Sequence, residues 1–300
     1  MSLLIVGSVA LDSVETPFGR FNEILGGSAS YCSVSASLFT CPRLVGVVGK
    51  DFPKAHVNAL KSRKVDLSGL EVKDGKTFRW NGCYKGDMNC AETISVHLNV
   101  FGEFDPKIPK KFADSTLVFL ANGSPAVQSK VLSQTKKARF TMIDTMNHWI
   151  ESDRPALLAL MKKVDGIILN NHEAFMLTKN HNLIVSAKQI LGMGPKLVII
   201  KKGEHGAMIM DKKGNFFAIP AFPIEKVKDP TGAGDSFAGG FMGYLDKAGK
   251  LDFGTMKKAL ICGTITASFA VEEFSLRRLL GLTKGEFDKR HKKFVEICTL

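Results

Sequence analysis

Asp229-Pro230-Thr231-Gly232-Ala233-Gly234-Asp235-Ser236-Phe237-Ala238-Gly239-Gly240-Phe241-Met242 sets a run of small residues before a stretch with helical spacing, and puts an acid in that helix's first turn. Residues without bulk at Gly232, Ala233 and Gly234 let backbone N–H groups turn towards a bound anion, and the helix dipole adds partial positive charge there. The segment reads as a built anion hole. Asp235 beside it has two uses open to it. It can cap the helix, worth about 1 kcal/mol. It can also accept the proton of a substrate hydroxyl while the loop amides hold the phosphoryl group under attack. The Gly-Ala-Gly approach favours the second use.

The rest of the chain supplies the frame. Short aliphatic runs separated by helix-length segments recur at Leu3-Val9, Leu44-Val48, Leu117-Ala121, Phe140-Asp144, Gly166-Leu169 and Leu197-Lys201. That alternation predicts a parallel sheet with helices on both faces. Helices are expected at Ser28-Phe39, Pro53-Ser62, Ala126-Gln134, Arg154-Lys163, Glu173-Thr178 and Ala187-Leu191, and longer ones at Gly234-Lys247, Phe253-Val271 and Lys284-Ile297. Ala207-Asp211 and Phe216-Ile219, joined by Lys212-Lys213-Gly214-Asn215, read as a hairpin. From about Leu67 to Val100 the rhythm changes. Thr77-Tyr84 and Glu92-Leu98 alternate polar with apolar residues and have no helix between them, as expected of antiparallel strands forming a small flap. Such a flap is a candidate lid.

Composition excludes several classes. The 300 residues are 45% hydrophobic and 23% charged, enough for one large core, and the longest apolar runs are of strand length, too short to span a membrane. No basic residue precedes the apolar start, so Leu3-Val9 reads as a first strand rather than a leader. Lys+Arg 41 against Asp+Glu 29 gives +12, but the basic residues come as dispersed doublets and not as a stripe interleaved with aromatics, so no nucleic-acid partner is expected. Six cysteines (Cys32, Cys41, Cys83, Cys90, Cys262, Cys298) form no C-x-x-C pair and read as reduced thiols of a cytoplasmic protein. A Walker A loop fails, because Gly49-Lys50 is followed by Asp51 and Leu44 stands where the first glycine belongs. His172-Glu173 lacks the second histidine of a zinc motif, with Met176 in its place.

Asp229 to Met242 resembles, position by position, the C-terminal signature of the PfkB/ribokinase family of carbohydrate and nucleoside kinases. The likeness extends over essentially the whole chain. Gly26-Gly27-Ser28-Ala29-Ser30-Tyr31 followed by Val45-Asp51 is similar to the N-terminal family motif, Asn170-x-x-Glu173 to its N-x-x-E element, and Lys201-Lys202-Gly203-Glu204 to its nucleotide-binding strand end. The resemblance implies a ribokinase-like three-layer α/β/α sandwich over residues 1–300. It also implies a mostly parallel central sheet and a small β-sheet lid from strands at about 12–20 and 67–100.

The activity it implies is transfer of the γ-phosphoryl of Mg·ATP to a primary hydroxyl of a sugar, or in an adenosine- or inosine-type relative of a nucleoside. Asp235 would be the general base and the amides of Gly232, Ala233 and Gly234 the anion hole. Asp12, Gly26, Gly27 and Tyr31 would hold the acceptor. Asn170, Glu173, Lys202, Gly203 and Gly263 would border the nucleotide, Glu173 reaching Mg2+ through water. Asp229 and Thr231 would border a monovalent cation such as K+, and two copies could pair through the lid. A sensor that keeps the fold without catalysis is the reading from another class, and the acid at position 235 speaks against it.

By themselves these residues have plainer uses. Asp12 can form a turn instead of accepting hydroxyl hydrogen bonds at a strand end. Gly26-Gly27 can be a tight turn, Asn170 and Glu173 a polar helix start, Lys201-Lys202 a solvated pair, and Gly263 a packing position. The family motif commonly has Asn where this chain has Tyr31, which leaves the acceptor open and the phosphoryl-transfer residues unaffected. Phe18, Phe21, Tyr31, Phe78 and Trp80 put many rings around the expected pocket and lid, either as core or as a stacking surface for a base.

Overall fold

A computed structural model describes residues 1–86, 88–89 and 91–299. In chain order it begins with β1 (Leu3–Val6), β2 (Ala10–Thr16), β3 (Gly19–Gly26), α1 (Ser28–Ala36), β4 (Arg43–Gly49), α2 (Lys54–Ser62), β5 (Asp66–Lys73), β6 (Phe78–Tyr84) and β7 (Ala91–His97). There follow β8 (Leu117–Leu120), α3 (Pro125–Gln134), β9 (Phe140–Asp144), α4 (Asn147–Ser152), α5 (Arg154–Met161), β10 (Gly166–Asn170), α6 (Asn171–Thr178), α7 (Leu183–Gly192) and β11 (Leu197–Lys201). The chain closes with the hairpin β12 (Ala207–Asp211) and β13 (Phe216–Ile219), then α8 (Ala233–Ala248), α9 (Phe253–Ala270), α10 (Arg277–Leu280) and α11 (Lys284–Cys298).

Nine strands make the central sheet in the order β13-β12-β11-β10-β9-β8-β1-β4-β5, parallel throughout except for the antiparallel hairpin at one edge. The apolar runs are buried on both faces, as such a sheet requires. One core cluster packs Ile5, Ile168 and Ile199 beneath α1, α8, α9 and α11. The other packs Leu4, Ile167 and Ile200 beneath α3, α5, α6 and α7. From β1 the chain moves outward to β4 and β5, then returns to β8 on β1's other side and proceeds to β11. Strand order therefore reverses at β1, and a crevice opens beyond the strands' carboxyl ends.

A second sheet, β3-β2-β6-β7, stands off the first. The expected antiparallel pair β6 and β7 belongs to it, but two boundaries need correction. Residues 66–73 are not lid: β5 pairs in parallel with β4 at the edge of the main sheet. Asp12 does not end the first strand. β1 stops at Val6, and Asp12 lies within β2, opposite Ile24 of β3 and beside Trp80 of β6. Alternating polar and apolar residues looked alike in a half-exposed edge strand and in a lid strand, so pattern could not separate them. The lid's root is fastened by Asp51, whose Oδ1 accepts hydrogen bonds from the amide (2.8 Å) and hydroxyl (2.7 Å) of Thr77. Arg79 adds an ion pair to Asp51 at 2.9 Å.

Small residues bring α8 close to its neighbours. A Cβ on Gly239 would collide with the Cys32 carbonyl and lie 2.7 Å from Ser35 Cβ, and one on Gly243 would lie 2.8 Å from Ala36 Cα. Gly263 of α9 is packed against Phe237, whose carbonyl would be 2.7 Å from an added Cβ. Cys32, Cys41, Cys83, Cys262 and Cys298 are free thiols, and Cys90 lies outside the described residues. Among the described residues, no helix is long and apolar enough to cross a membrane.

If close helix contact fixes α8, Gly239→Ala should lower the denaturation midpoint by about 1–3 kcal/mol of stability. Gly285→Ala in α11, where nothing lies within 4 Å of the added methyl, should be neutral or stabilising by up to about 1 kcal/mol. Equal behaviour of the two variants in urea titrations would contradict this packing account.

Candidate active site

Three strand ends bring charge to one place. Asp144 ends β9, Asn170 ends β10 and Lys201 ends β11, with Asn170 and Lys201 paired in register. Lys201 Nζ lies 3.7 Å from Asp144 Oδ2. It also stands beside the signature loop, for a Cβ on Gly234 would be 2.8 Å from that nitrogen. The ammonium thus occupies space that any side chain at position 234 would need. Burial alone would lower the lysine's pKa, but the charges of Asp144, Glu173 and Asp235 outweigh it and hold the pKa above its usual value.

Asp235 sits in the first turn of α8, as its position in the sequence suggested. Burial, reinforced by the charge of Asp144 and opposed by Lys201, pushes its carboxyl up to about 7. A group with that value is matched to taking a proton near neutral pH. Gly232 is the helix N-cap with φ 71°, a left-handed conformation suited to glycine, and its packing is as specific as its φ, because an added Cβ would strike the ring of Tyr31. One of the three expected anion-hole donors is already committed: the Ala233 amide donates to the Pro230 carbonyl at 3.1 Å. Among the described residues the amides of Gly232 and Gly234 have no protein acceptor, so these two remain for an anion.

Asn170 and Glu173 form a reciprocal helix cap. Asn170 Oδ1 accepts from the Glu173 amide at 2.8 Å, and Glu173 Oε2 accepts from the Asn170 amide at 2.6 Å. The plain helix-start reading is therefore realised, and it fixes the Glu173 carboxyl towards Lys201. Burial raises Glu173 to about 7, with Lys201 pulling the other way. Across the crevice Asp12 is 4% exposed, and burial, with the charges of Asp229 and Asp235, raises it to about 7 while the Gly27 amide opposes. Gly26 leaves room for that carboxylate, because a Cβ there would overlap it. Gly27, at φ 91°, turns the chain into α1.

Other expected site residues fall elsewhere. Tyr31 is 1% exposed and its ring lies under the signature loop, where α1 turns it towards Gly232 one turn after Gly27. Gly263 is packed against Phe237. Lys202 is half-buried and Gly203 exposed in the turn after β11, next to Asn89 of the lid. The Asp229 carboxylate accepts amide hydrogen bonds from Thr231 (2.9 Å) and Ser275 (3.0 Å), which ties down the start of the signature. Among the described residues no cluster of three or more His, Cys, Asp or Glu side chains is placed to hold a metal ion.

Lys201 and Asp144 were missed in the sequence. Lys201 looked like half of a solvated doublet, and Asp144 like the polar end of an apolar run. Their position at the carboxyl ends of adjacent sheet strands was the available signal. The lid reaches the same place: Thr231 Oγ1 lies 3.4 Å from the hydroxyl of Tyr84, at the end of β6. Trp80 lies on the face of the lid that carries Asp12 and Val14, next to Phe274 and Tyr84.

Comparison with known proteins shows the family and the fold. The model of the family described as pfkB family carbohydrate kinase matches residues 4–280. The cytidine kinase of Thermococcus kodakarensis is 33% identical over 251 residues, covering 81% of this chain and 88% of that protein. A 5-dehydro-2-deoxygluconokinase of Clostridium botulinum is 24% identical over 306 residues, covering 88% and 87% of the two. In fold, the nucleoside kinase of Methanocaldococcus jannaschii, an archaeal member of the ribokinase family, superposes with a TM-score of 0.79 at 23% identity over 98% of this chain and 99% of that one.

The charge network has a measurable sign. Asp144→Asn removes a charge that raises Asp235, so the acid limb of the kcat/KM profile should move below the wild-type position near 7. Lys201→Met removes the opposing charge; the limb should move up and turnover fall about 10²-fold or more. Unshifted limbs in both variants would show that these groups do not face Asp235.

Proposed function

The chain belongs to the pfkB family of carbohydrate kinases and is a phosphotransferase, and on that premise we propose that it moves the γ-phosphoryl of Mg·ATP to the primary hydroxyl of a nucleoside's ribose. The observation that carries this reading is the pairing of two acids across one crevice. Asp235 stands at the anion hole and Asp12 on the lid, close enough that the charge of Asp235 raises Asp12. An acceptor held by Asp12 through its hydroxyls would present another hydroxyl to Asp235. The hydroxyl oxygen bonds to the γ-phosphorus, the bond from that phosphorus to the β–γ bridging oxygen breaks, ADP leaves, and the hydroxyl proton passes to Asp235. Charge on the transferred group meets the amides of Gly232 and Gly234 and the ammonium of Lys201, each such donor being worth roughly 3 kcal/mol.

Mg2+, when bound, would neutralise phosphate oxygens, and Glu173 is the residue suited to hold its waters. Its second carboxylate oxygen is not used by the helix cap. K+ beside Asp229 and Thr231 would take the lone pairs that the loop amides leave. A base on the acceptor is favoured by Trp80, whose indole shares the lid face of Asp12. A free sugar is the second reading, supported by the sugar-acid kinase relative. We place the enzyme in the cytoplasm, where its free thiols would stay reduced. Two copies would pair through the lid, whose outer strand β7 carries exposed Ile94 and Val96 on an unpaired edge.

Asp235→Asn should bind ATP but lose about 10²-fold or more in turnover. Stability supplies an independent check. The Asp235 carboxyl rises from 3.8 to about 7 on folding. The folded chain therefore holds a proton that the unfolded chain has released, and this group's contribution falls as pH climbs through that window. Asp235→Asn should raise the melting midpoint more near pH 8 than near pH 5. In a Trp149→Phe background, Trp80 emission should respond to cytidine or another nucleoside that serves as substrate. A screen in which only free sugars are phosphorylated would overturn the nucleoside assignment and leave the kinase intact.

A further inference from the structure

Away from the crevice, a cavity of about 500 Å³ opens between the end of α1 and helices α8, α9 and α11. That volume is in the range of small-molecule sites. Its walls are aromatic and set at right angles: Phe39 meets Tyr244 edge-on (6.1 Å, 82°) and Phe287 edge-on (5.2 Å, 87°). Perpendicular rings of this kind offer both a face and an edge to a flat occupant. Charge at the mouth is one-sided. Lys284 is paired with Asp288, whereas Lys247 and Lys258 have no carboxylate partner among the described residues. His291 on the same wall is pushed below its ordinary value by burial and adds no cation near neutral pH.

From these features we propose that the cavity is a second ligand site, for a soluble anion with a flat aromatic body, its ring against the wall that Phe39, Tyr244 and Phe287 form and its negative group at Lys247 and Lys258. It is distinct from the catalytic crevice. Lys247 is twelve residues beyond Asp235 on α8, about 18 Å at 1.5 Å per residue, too far for one small ligand to touch both. The same helix carries the anion hole at one end and the cavity wall at the other. The proposal does not depend on which acceptor the enzyme uses.

The probe is 8-anilino-1-naphthalenesulfonate, an aromatic sulfonate, titrated by fluorescence into the intact enzyme. One equivalent should bind, saturating Mg·ADP should not displace it, and Lys247→Glu/Lys258→Glu should weaken it about tenfold or more while turnover without probe stays at the wild-type level. Displacement by Mg·ADP would mean that the probe reports the crevice, and undiminished binding to the charge-reversed variant would mean that the lysines do not form a site. Either result overturns the proposal without touching the kinase assignment.

Discussion

A single buried ammonium holds the site together. Lys201 sits among Asp144, Glu173 and Asp235, one cation against three carboxylates, all largely withdrawn from water. Taking such charges from solvent is costly, and mutual attraction offsets that cost only where the geometry is tight. Burial is the main reason the acids are raised towards neutrality, and with three acids against one base the charge of Asp144 adds to it while Lys201 opposes. The protons shared by this cluster belong to the group as a whole rather than to one residue. A metal-bound polyphosphate brings both missing charges and further anions, so its arrival must redistribute them. That is the electrical task of a kinase site before any bond changes.

The placement of the acid and amides around that ammonium follows from packing rather than from the loop. α8 lies against α1 at Gly239 and Gly243, and against α9 at Gly240 and Gly263, with separations no larger residue would permit. Its N-terminus, and with it Asp235 and the free amides, is therefore set by backbone contacts of a rigid layer. Gly232 and Gly234 complete the fit from the other side, one making room for the Tyr31 ring and the other for the Lys201 ammonium. The glycines of the signature do two jobs, one conformational and one steric. A substitution at 234 would displace a cation and not merely crowd a loop.

Legibility in the sequence divides along the same line. Long apolar runs with strict flanks were readable: β9, β11 and β12 occupy the residues that periodicity indicated, because burial on both faces leaves no alternative pattern, and the mostly exposed β13 was readable as the second arm of a hairpin. Asp235 was readable because its neighbours are unusual in size. Lys201 was not, because a lysine beside a lysine looks solvated until the adjacent strand ends are known. Asp12 was read on the wrong element, since one short polar interruption after Val6 separates a sheet strand from a lid strand. The contact of Tyr31 with Gly232 was not readable, because it depends on how α1 meets α8, between residues about 200 positions apart.

The lid is fastened at several points of unequal strength. Its root is held by the Asp51 carboxylate to Thr77 and Arg79, and its far end touches the signature loop through Tyr84 and Thr231. The root is fastened by charge-assisted bonds, the stronger kind. The far contact, at 3.4 Å, is long for a hydroxyl pair and weak. Between these points Thr16 Oγ1 donates to the Lys228 carbonyl at 2.9 Å and the Phe21 ring packs on Phe274 at 4.5 Å, so the sheet does not turn about its root alone. An acceptor bound as proposed would therefore need the weak Tyr84–Thr231 contact to yield, and not the whole sheet to swing.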